Sequence, residues 1–208
     1  MSENVLKTGT TTVGLIYKDG VVIAADKRAT AGNLIVDKSV TKLIKINDYM
    51  GVTISGSVSD IQLMTRYLKA ELKLKEIRTN RKNTVSEGAN LLAGLAYSQI
   101  RSYFPGIGHF IVAGYDESPQ LYDVFPDGSI TEHDQFDASG SGSVFAFGLL
   151  ENNYKDNMSE GEAVDLALRS ISAAQQRDNA SGNGVDIWLI NKDGIKEVTT
   201  KIPQTRLV

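Results

Sequence analysis

The chain of 208 residues contains no cysteine, so it has no disulfide framework, no thiolate metal site and no thiol nucleophile. That absence suits a reducing compartment, and a cytoplasmic location is the expectation. Net charge is small as well. Twenty-two Lys and Arg stand against 25 Asp and Glu, a formal −3, without the broad basic face by which proteins hold nucleic acid or anionic lipid. Neither a nucleic acid nor a membrane is expected as a partner. Long apolar runs are missing: Val21 to Ala25 and Phe110 to Ala113 suit buried strands and fall far short of the ~18 residues that cross a bilayer. The amino terminus offers no apolar stretch of signal-peptide length. Histidine is scarce, with only His109 and His133, and neither has a second His at ligand spacing. No metal, no cofactor and no Ser-His-Asp triad are therefore expected. Ser139-Gly140-Ser141-Gly142-Ser143 lacks the lysine and spacing of a phosphate loop and reads as a Gly-rich turn from strand to helix.

What is present describes one compact domain. A content of 41% hydrophobic and 23% charged residues excludes disorder, and no linker or low-complexity tract divides the chain. Asp-Gly pairs at Asp19-Gly20, Asp127-Gly128 and Asp193-Gly194 supply the positive φ angles of tight hairpins. They join Thr10 to Tyr17 with Val21 to Ala25, Leu121 to Phe125 with Ser129 to Glu132, and Val185 to Asn191 with Ile195 to Thr199. Asn47-Asp48 turns between two further short strands, Leu43 to Ile46 and Gly51 to Ser55. From Ser57 the apolar period changes to three and four, through Ile61, Met64, Leu68 and Leu72, which predicts an amphipathic helix. Thr84-x-x-Glu87 reads as a capping box opening a second helix that stops near Pro105. A third helix is expected over Ser143 to Asn153, and a fourth from Ser159-x-x-Glu162 towards Arg177. The order is strands, two helices, strands, two helices, strands, joined by hairpins rather than crossovers. It predicts an α+β, four-layer α-β-β-α sandwich of two antiparallel sheets flanked by helix pairs.

One motif carries chemistry of its own. Gly9-Thr10-Thr11-Thr12-Val13-Gly14 reads either as a Thr-rich strand start or as a cleavage point. Cleavage after Gly9 would leave Thr10 with a hydroxyl and a free α-amine whose ordinary pKa of about 7.7 to 8.0 equips it to take the hydroxyl proton where no histidine is at hand.

Together with Ala24-Ala25-Asp26-Lys27-Arg28-Ala29-Thr30, Lys42, Ser55-Gly56, Ser139-Gly140-Ser141-Gly142-Ser143 and Gln176-Arg177-Asp178-Asn179-Ala180-Ser181-Gly182, that motif resembles the proteasome β subunit of archaeal type in order and spacing along nearly the whole chain. The resemblance implies the N-terminal-nucleophile hydrolase fold and a threonine endopeptidase, with residues 1–9 a propeptide lost by self-cleavage and 10–208 the catalytic domain. It implies Thr10 as nucleophile, with its own amine as base, a pairing already known among nucleophilic enzymes. It implies Lys42 as a cation beside the hydroxyl and Asp26 as its partner. Gly56 would give a backbone N–H to the oxyanion. Ser141, Asp178 and Ser181 would hold the amine and a water. Arg28 follows Asp26 in the family's manner, and Thr30 would offer backbone bonds to an extended peptide. The side-chain pocket would be Ala29, Val40, Ile44, Ile54 and Val58, apolar and so selective for cleavage after hydrophobic residues. The implied partners are α-type subunits and other β subunits in stacked seven-membered rings, an ATP-dependent unfoldase acting through the α rings, and unfolded polypeptides as substrates. An unprocessed β-type ring subunit without catalysis is the second reading; a bacterial ring-protease relative and an α-type subunit fit the blocks less well.

Overall fold

The computed structural model describes residues 9–103 and 105–198. Twelve strands and four helices are present among them, in the order β1 (Thr12–Tyr17), β2 (Gly20–Asp26), β3 (Ala29–Ala31), β4 (Leu34–Asp37), β5 (Leu43–Asn47), β6 (Met50–Gly56), α1 (Val58–Thr79), α2 (Val85–Ile100), β7 (Gly108–Tyr115), β8 (Pro119–Val124), β9 (Ile130–His133), β10 (Phe136–Ser139), α3 (Ser143–Asn153), α4 (Glu160–Gln175), β11 (Val185–Asn191) and β12 (Gly194–Val198). Two five-stranded antiparallel sheets result, one ordered β10-β1-β2-β11-β12 and the other β5-β6-β7-β8-β9, with β3 and β4 forming a separate hairpin. The expected four-layer sandwich is the observed one.

Strand periodicity explains the layering. Successive side chains of a strand face opposite ways, so a strand covered on both faces is apolar throughout. In β2, Val22 and Ala24 pack with Leu166, Ala167 and Ile171 of α4, while Val21, Ile23 and Ala25 meet Ile111, Ala113 and Leu121 of the second sheet. β11 divides likewise: Ile187 and Leu189 face the helices, and Trp188 and Ile190 face the other sheet. In the second sheet, Phe110 and Val112 of β7 pack on Leu68, Leu72 and Leu92 of α1 and α2. Three apolar layers thus hold four layers of structure together.

The three Asp-Gly turns all join paired strands, but the expected positive φ is found at Gly128 and Gly194 and not at Asp19-Gly20. Two short elements have no counterpart in the sequence reading. The β3–β4 hairpin turns at Gly32 with φ +61°, and β4 is exposed throughout, so no buried face marks it. β10 is four residues without a β-branched side chain, recruited by pairing with β1 through Val13↔Ala138 and its neighbours. Helix α2 ends at Ile100, ahead of Pro105, because Ser102 and Gly106 both turn their N–H groups back to the Gln99 carbonyl. The last strand ends at Val198; Thr199 lies outside the described residues.

Both expected capping boxes form. Thr84 Oγ1 accepts from Glu87 N at 3.1 Å and Glu87 Oε2 accepts from Thr84 N at 3.0 Å, while Ser159 and Glu162 make the same exchange. Glu87 also meets Arg81 at 2.7 Å and Lys75 at 2.8 Å. The Arg81 hydrogen bond, ahead of the other causes, lowers the Glu87 carboxyl from 4.5 to about 2. A folded value below the unfolded one adds stability that is complete above about pH 4.5 and lost as pH falls towards about 2. Glu87→Gln is therefore expected to cost about 1 kcal/mol at neutral pH, solvent screening included. Acid-dependent melting of the two chains should converge across that window.

Candidate active site

Thr10 precedes β1 and is almost fully buried. Its hydroxyl donates to the Gly9 carbonyl oxygen at 2.7 Å, and its N–H donates to Ser141 Oγ at 3.2 Å. Ser141 in turn donates to Asp178 Oδ2 at 2.6 Å, and Ser181 donates to the same oxygen at 2.6 Å. The Ser181 proton being committed there, the 2.7 Å contact between Thr11 Oγ1 and Ser181 Oγ has Thr11 as donor. Behind it, Thr12 Oγ1 lies 2.7 Å from Ser139 Oγ and accepts from Thr53 Oγ1 at 3.2 Å. Each of the three consecutive threonines thus has its own polar partner in a buried setting, the requirement that buried hydroxyls impose.

Asp26 closes β2, opposite Thr11 in the β1–β2 register. It is fully buried and takes four hydrogen bonds: Thr11 N (2.9 Å) and Lys42 Nζ (2.7 Å) on Oδ1, Arg28 N (3.0 Å) and Gly182 N (2.9 Å) on Oδ2. Lys42 lies one residue ahead of β5, and its carbonyl accepts from Ile54 N, extending the β5–β6 pairing. The Asp26–Lys42 pair is a buried ion pair, with side chains 0% and 4% exposed. Desolvation holds the Lys42 ammonium below its ordinary pKa; the Asp26 charge and hydrogen bond oppose this without cancelling it. Two charges sixteen residues apart, which surface exposure would also explain, form the buried polar centre of this end of the sandwich.

Gly9, Thr10 and Lys42 border a cavity of about 240 Å³. Arg28, Ala29, Thr30, Val40, Ile54, Gly56 and Val58 line it too, Ala29, Val40, Ile54 and Val58 among them being residues of the pocket that the resemblance implies. Ile44, expected in this pocket, does not border it: it shares with Ile54 the sheet face turned to α1 and α2 and sits half-buried in the core there. Ala31, Val36 and Ile61 line the cavity in addition; the first two sit on the β3–β4 hairpin that the sequence reading lacks. Thr30 Oγ1 accepts from Gly9 N at 3.2 Å. Arg28 points its guanidinium at Asn183 Oδ1 and the Asn179 carbonyl, bracing the loop that carries Asp178 and Ser181. At Gly56 φ is +123°, and a Cβ there would stand 2.5 Å from the Ile107 carbonyl oxygen, so glycine is required. A side chain at Gly9 would collide with Ala180.

Each histidine lies beside a carboxylate. His109 Nε2 lies 2.6 Å from Asp123 Oδ1, and His133 Nε2 lies 4.0 Å from Asp137 Oδ1. Burial, and next the Asp123 charge, push the Asp137 carboxyl up to about 6.

Two antiparallel sheets stacked between helix pairs, with a threonine at the head of the first strand beside a buried Lys–Asp pair, are the architecture of the N-terminal-nucleophile hydrolases. A family model described as "Proteasome subunit" matches residues 6–190. The chain is 43% identical over 197 residues to "Proteasome subunit beta 2" of Aeropyrum pernix, covering 95% of this chain and 89% of that one. It is 45% identical over 190 residues to "Proteasome subunit beta" of Methanocaldococcus jannaschii (90% and 84% covered), and 42% identical over 190 residues to "Proteasome subunit beta 1" of Thermococcus onnurineus (91% and 92%). The chain belongs to the proteasome subunit family and is similar throughout to its archaeal β members. Membership implies assembly into a multi-subunit core particle, and β subunits of the family are in general threonine peptidases.

Proposed function

We propose that this chain is a catalytic β subunit, a threonine endopeptidase with Thr10 as nucleophile, which degrades unfolded polypeptides inside stacked seven-membered rings closed by α-type subunits and fed by an ATP-dependent unfoldase. The observation that carries this reading is the Thr10 hydroxyl at 2.7 Å from the Gly9 carbonyl oxygen, beside the buried Lys42–Asp26 pair. In the first reaction Thr10 Oγ adds to the Gly9 carbonyl carbon. The Gly9–Thr10 C–N bond breaks, the nitrogen takes the hydroxyl proton, and water hydrolyses the resulting ester, leaving residues 1–9 as a released propeptide and 10–208 as the mature domain. In each later turnover the freed amine, held by Ser141 and by the water that Asp178 and Ser181 position, takes the Thr10 proton as Oγ attacks a peptide carbonyl. The Lys42 cation favours the alkoxide, Gly56 N–H meets the oxyanion, and the proton passes to the departing amine before water releases the acyl group. Thr30 offers backbone bonds to the bound peptide. A cytoplasmic location goes with this reading. The test is the intact mass of the chain after assembly with an α-type partner: loss of residues 1–9 supports it, and a leader retained in assembled rings favours the structural, non-catalytic subunit instead.

The cavity sets the expected specificity. Ala29, Ala31, Val36, Val40, Ile54, Val58 and Ile61 give it an apolar wall, and its two charged residues are committed elsewhere, Arg28 to Asn183 and Lys42 to Asp26. A charged side chain entering it would be desolvated without a partner. Peptides with Tyr or Leu before the scissile bond are expected to be cut roughly 10- to 200-fold faster than those with Arg or Glu there, the range a methylene-sized difference already spans. Equal kcat/KM values would remove the assignment of this cavity as the specificity pocket.

A further inference from the structure

Where β8, β9 and β10 come together, the fold gathers side chains that the proposed chemistry leaves unused. Asp123 on β8, His133 on β9 and Asp137 on β10 each offer a ligand atom, and these atoms all lie within 4.8 Å of one another. Both carboxylates are buried, with side chains 4% and 5% exposed. Asp137 Oδ2 and His133 Nε2 are buried without a hydrogen-bond partner, two of five such side-chain atoms among the described residues. Buried polar atoms are ordinarily satisfied, so a pair of orphans pointing into one cluster marks a place for a missing partner.

We propose that Asp123, His133 and Asp137 bind a divalent transition-metal ion, zinc being the best match. One imidazole nitrogen and two carboxylate oxygens form the borderline donor set that zinc accepts, whereas magnesium and calcium prefer oxygen alone. Ligand atoms at ~2.0–2.2 Å from zinc stand roughly 3.4 Å apart in a tetrahedron, a small closure from the present spacing. His109 supplies the outer support: its Nε2 meets Asp123 Oδ1 at 2.6 Å, and its ring stacks on Phe125 with centroids 5.0 Å apart. A cavity bordered by His109, Asp123 and Asp137 gives an entry path and room for water as a further ligand.

The place of the site gives it a consequence. Asp123 and His133 belong to the second sheet, Asp137 to the first, and the two-residue link from β9 to β10 is where the chain passes between them. A bound ion clamps the sheet edges together beside β10, whose Ser139 contacts Thr12 and which leads into Ser141.

The test uses the untagged full chain, stripped with a chelator and equilibrated with micromolar zinc, with metal read by elemental analysis and folding by circular dichroism. One zinc per chain is expected, together with a rise in melting temperature. His133→Ala, at a partly buried position outside the apolar core clusters, and Asp137→Asn should each lose the ion. His109→Phe should bind roughly 10- to 100-fold more weakly, as removal of an outer-shell partner does. X-ray absorption at the zinc edge should show nitrogen and oxygen neighbours. A native chain that stays metal-free, an ion that survives in His133→Ala, or displacement of zinc by equimolar magnesium would each overturn the proposal.

Discussion

Rings built entirely from Thr10→Ala chains are expected to retain residues 1–9 and to hydrolyse peptides on the order of 10⁶-fold more slowly, the loss that follows removal of an acylating nucleophile. The substitution leaves the fold in place. The Thr10 hydroxyl donates only to the Gly9 carbonyl, and the backbone contact to Ser141 remains. Stability should change by less than about 1 kcal/mol, because an alanine there abandons no buried donor. Thr10→Ser keeps an oxygen at the same position and should restore both cleavage and turnover in part. Intact mass and a fluorogenic peptide assay read the two effects separately. Turnover persisting in all-Thr10→Ala rings would remove Thr10 from the mechanism altogether.

A second large effect is expected at Asp26, where stability and chemistry meet. Its two oxygens accept three backbone N–H groups, from Thr11, Arg28 and Gly182, as well as Lys42. In Asp26→Asn either orientation of the amide turns its NH₂ against some of these donors, and the Lys42 cation is left buried without a counter-charge. A loss of about 3–5 kcal/mol is expected, which for a chain of this size lowers Tm by roughly 10 °C. Lys42→Met should cost less, since the carboxylate keeps its three N–H partners, yet it removes the cation and should lower kcat by roughly 10²- to 10³-fold. The order of the two melting temperatures is the informative result. Lys42→Met melting lower than Asp26→Asn would mean that Asp26 serves the lysine and does not anchor the three backbone segments.

Much of the architecture is legible because it is written locally. An Asp-Gly pair or a Thr-x-x-Glu box acts over four residues, and each one found in the sequence forms in the structure. The site blocks are legible for another reason: their residue types and spacing are those of a family, and the fold brings Thr10, Asp26, Lys42, Ser141, Asp178 and Ser181 together through the contacts described. What escaped depends on distant partners. β10 is a strand only because β1 lies beside it. Ile44 shares the sheet face of the cavity-lining Ile54, yet the core under α1 and α2 covers it, which only the packed helices decide. Asp123, His133 and Asp137 show no ligand spacing along the chain, since two strands of one sheet and one of the other must meet before they do.

Gly9 is held on both its polar groups. Its N–H is taken by Thr30 and its carbonyl by Thr10, and it has no room for a side chain against Ala180. The chain's own backbone thus fills the place that the proposed function gives to an incoming peptide. On the proposed reading the subunit cannot compete for foreign substrate until it has cut itself, so digestion is interlocked with maturation: a stray precursor is harmless to its neighbours, and opening is a single, irreversible event with no path back to the closed form.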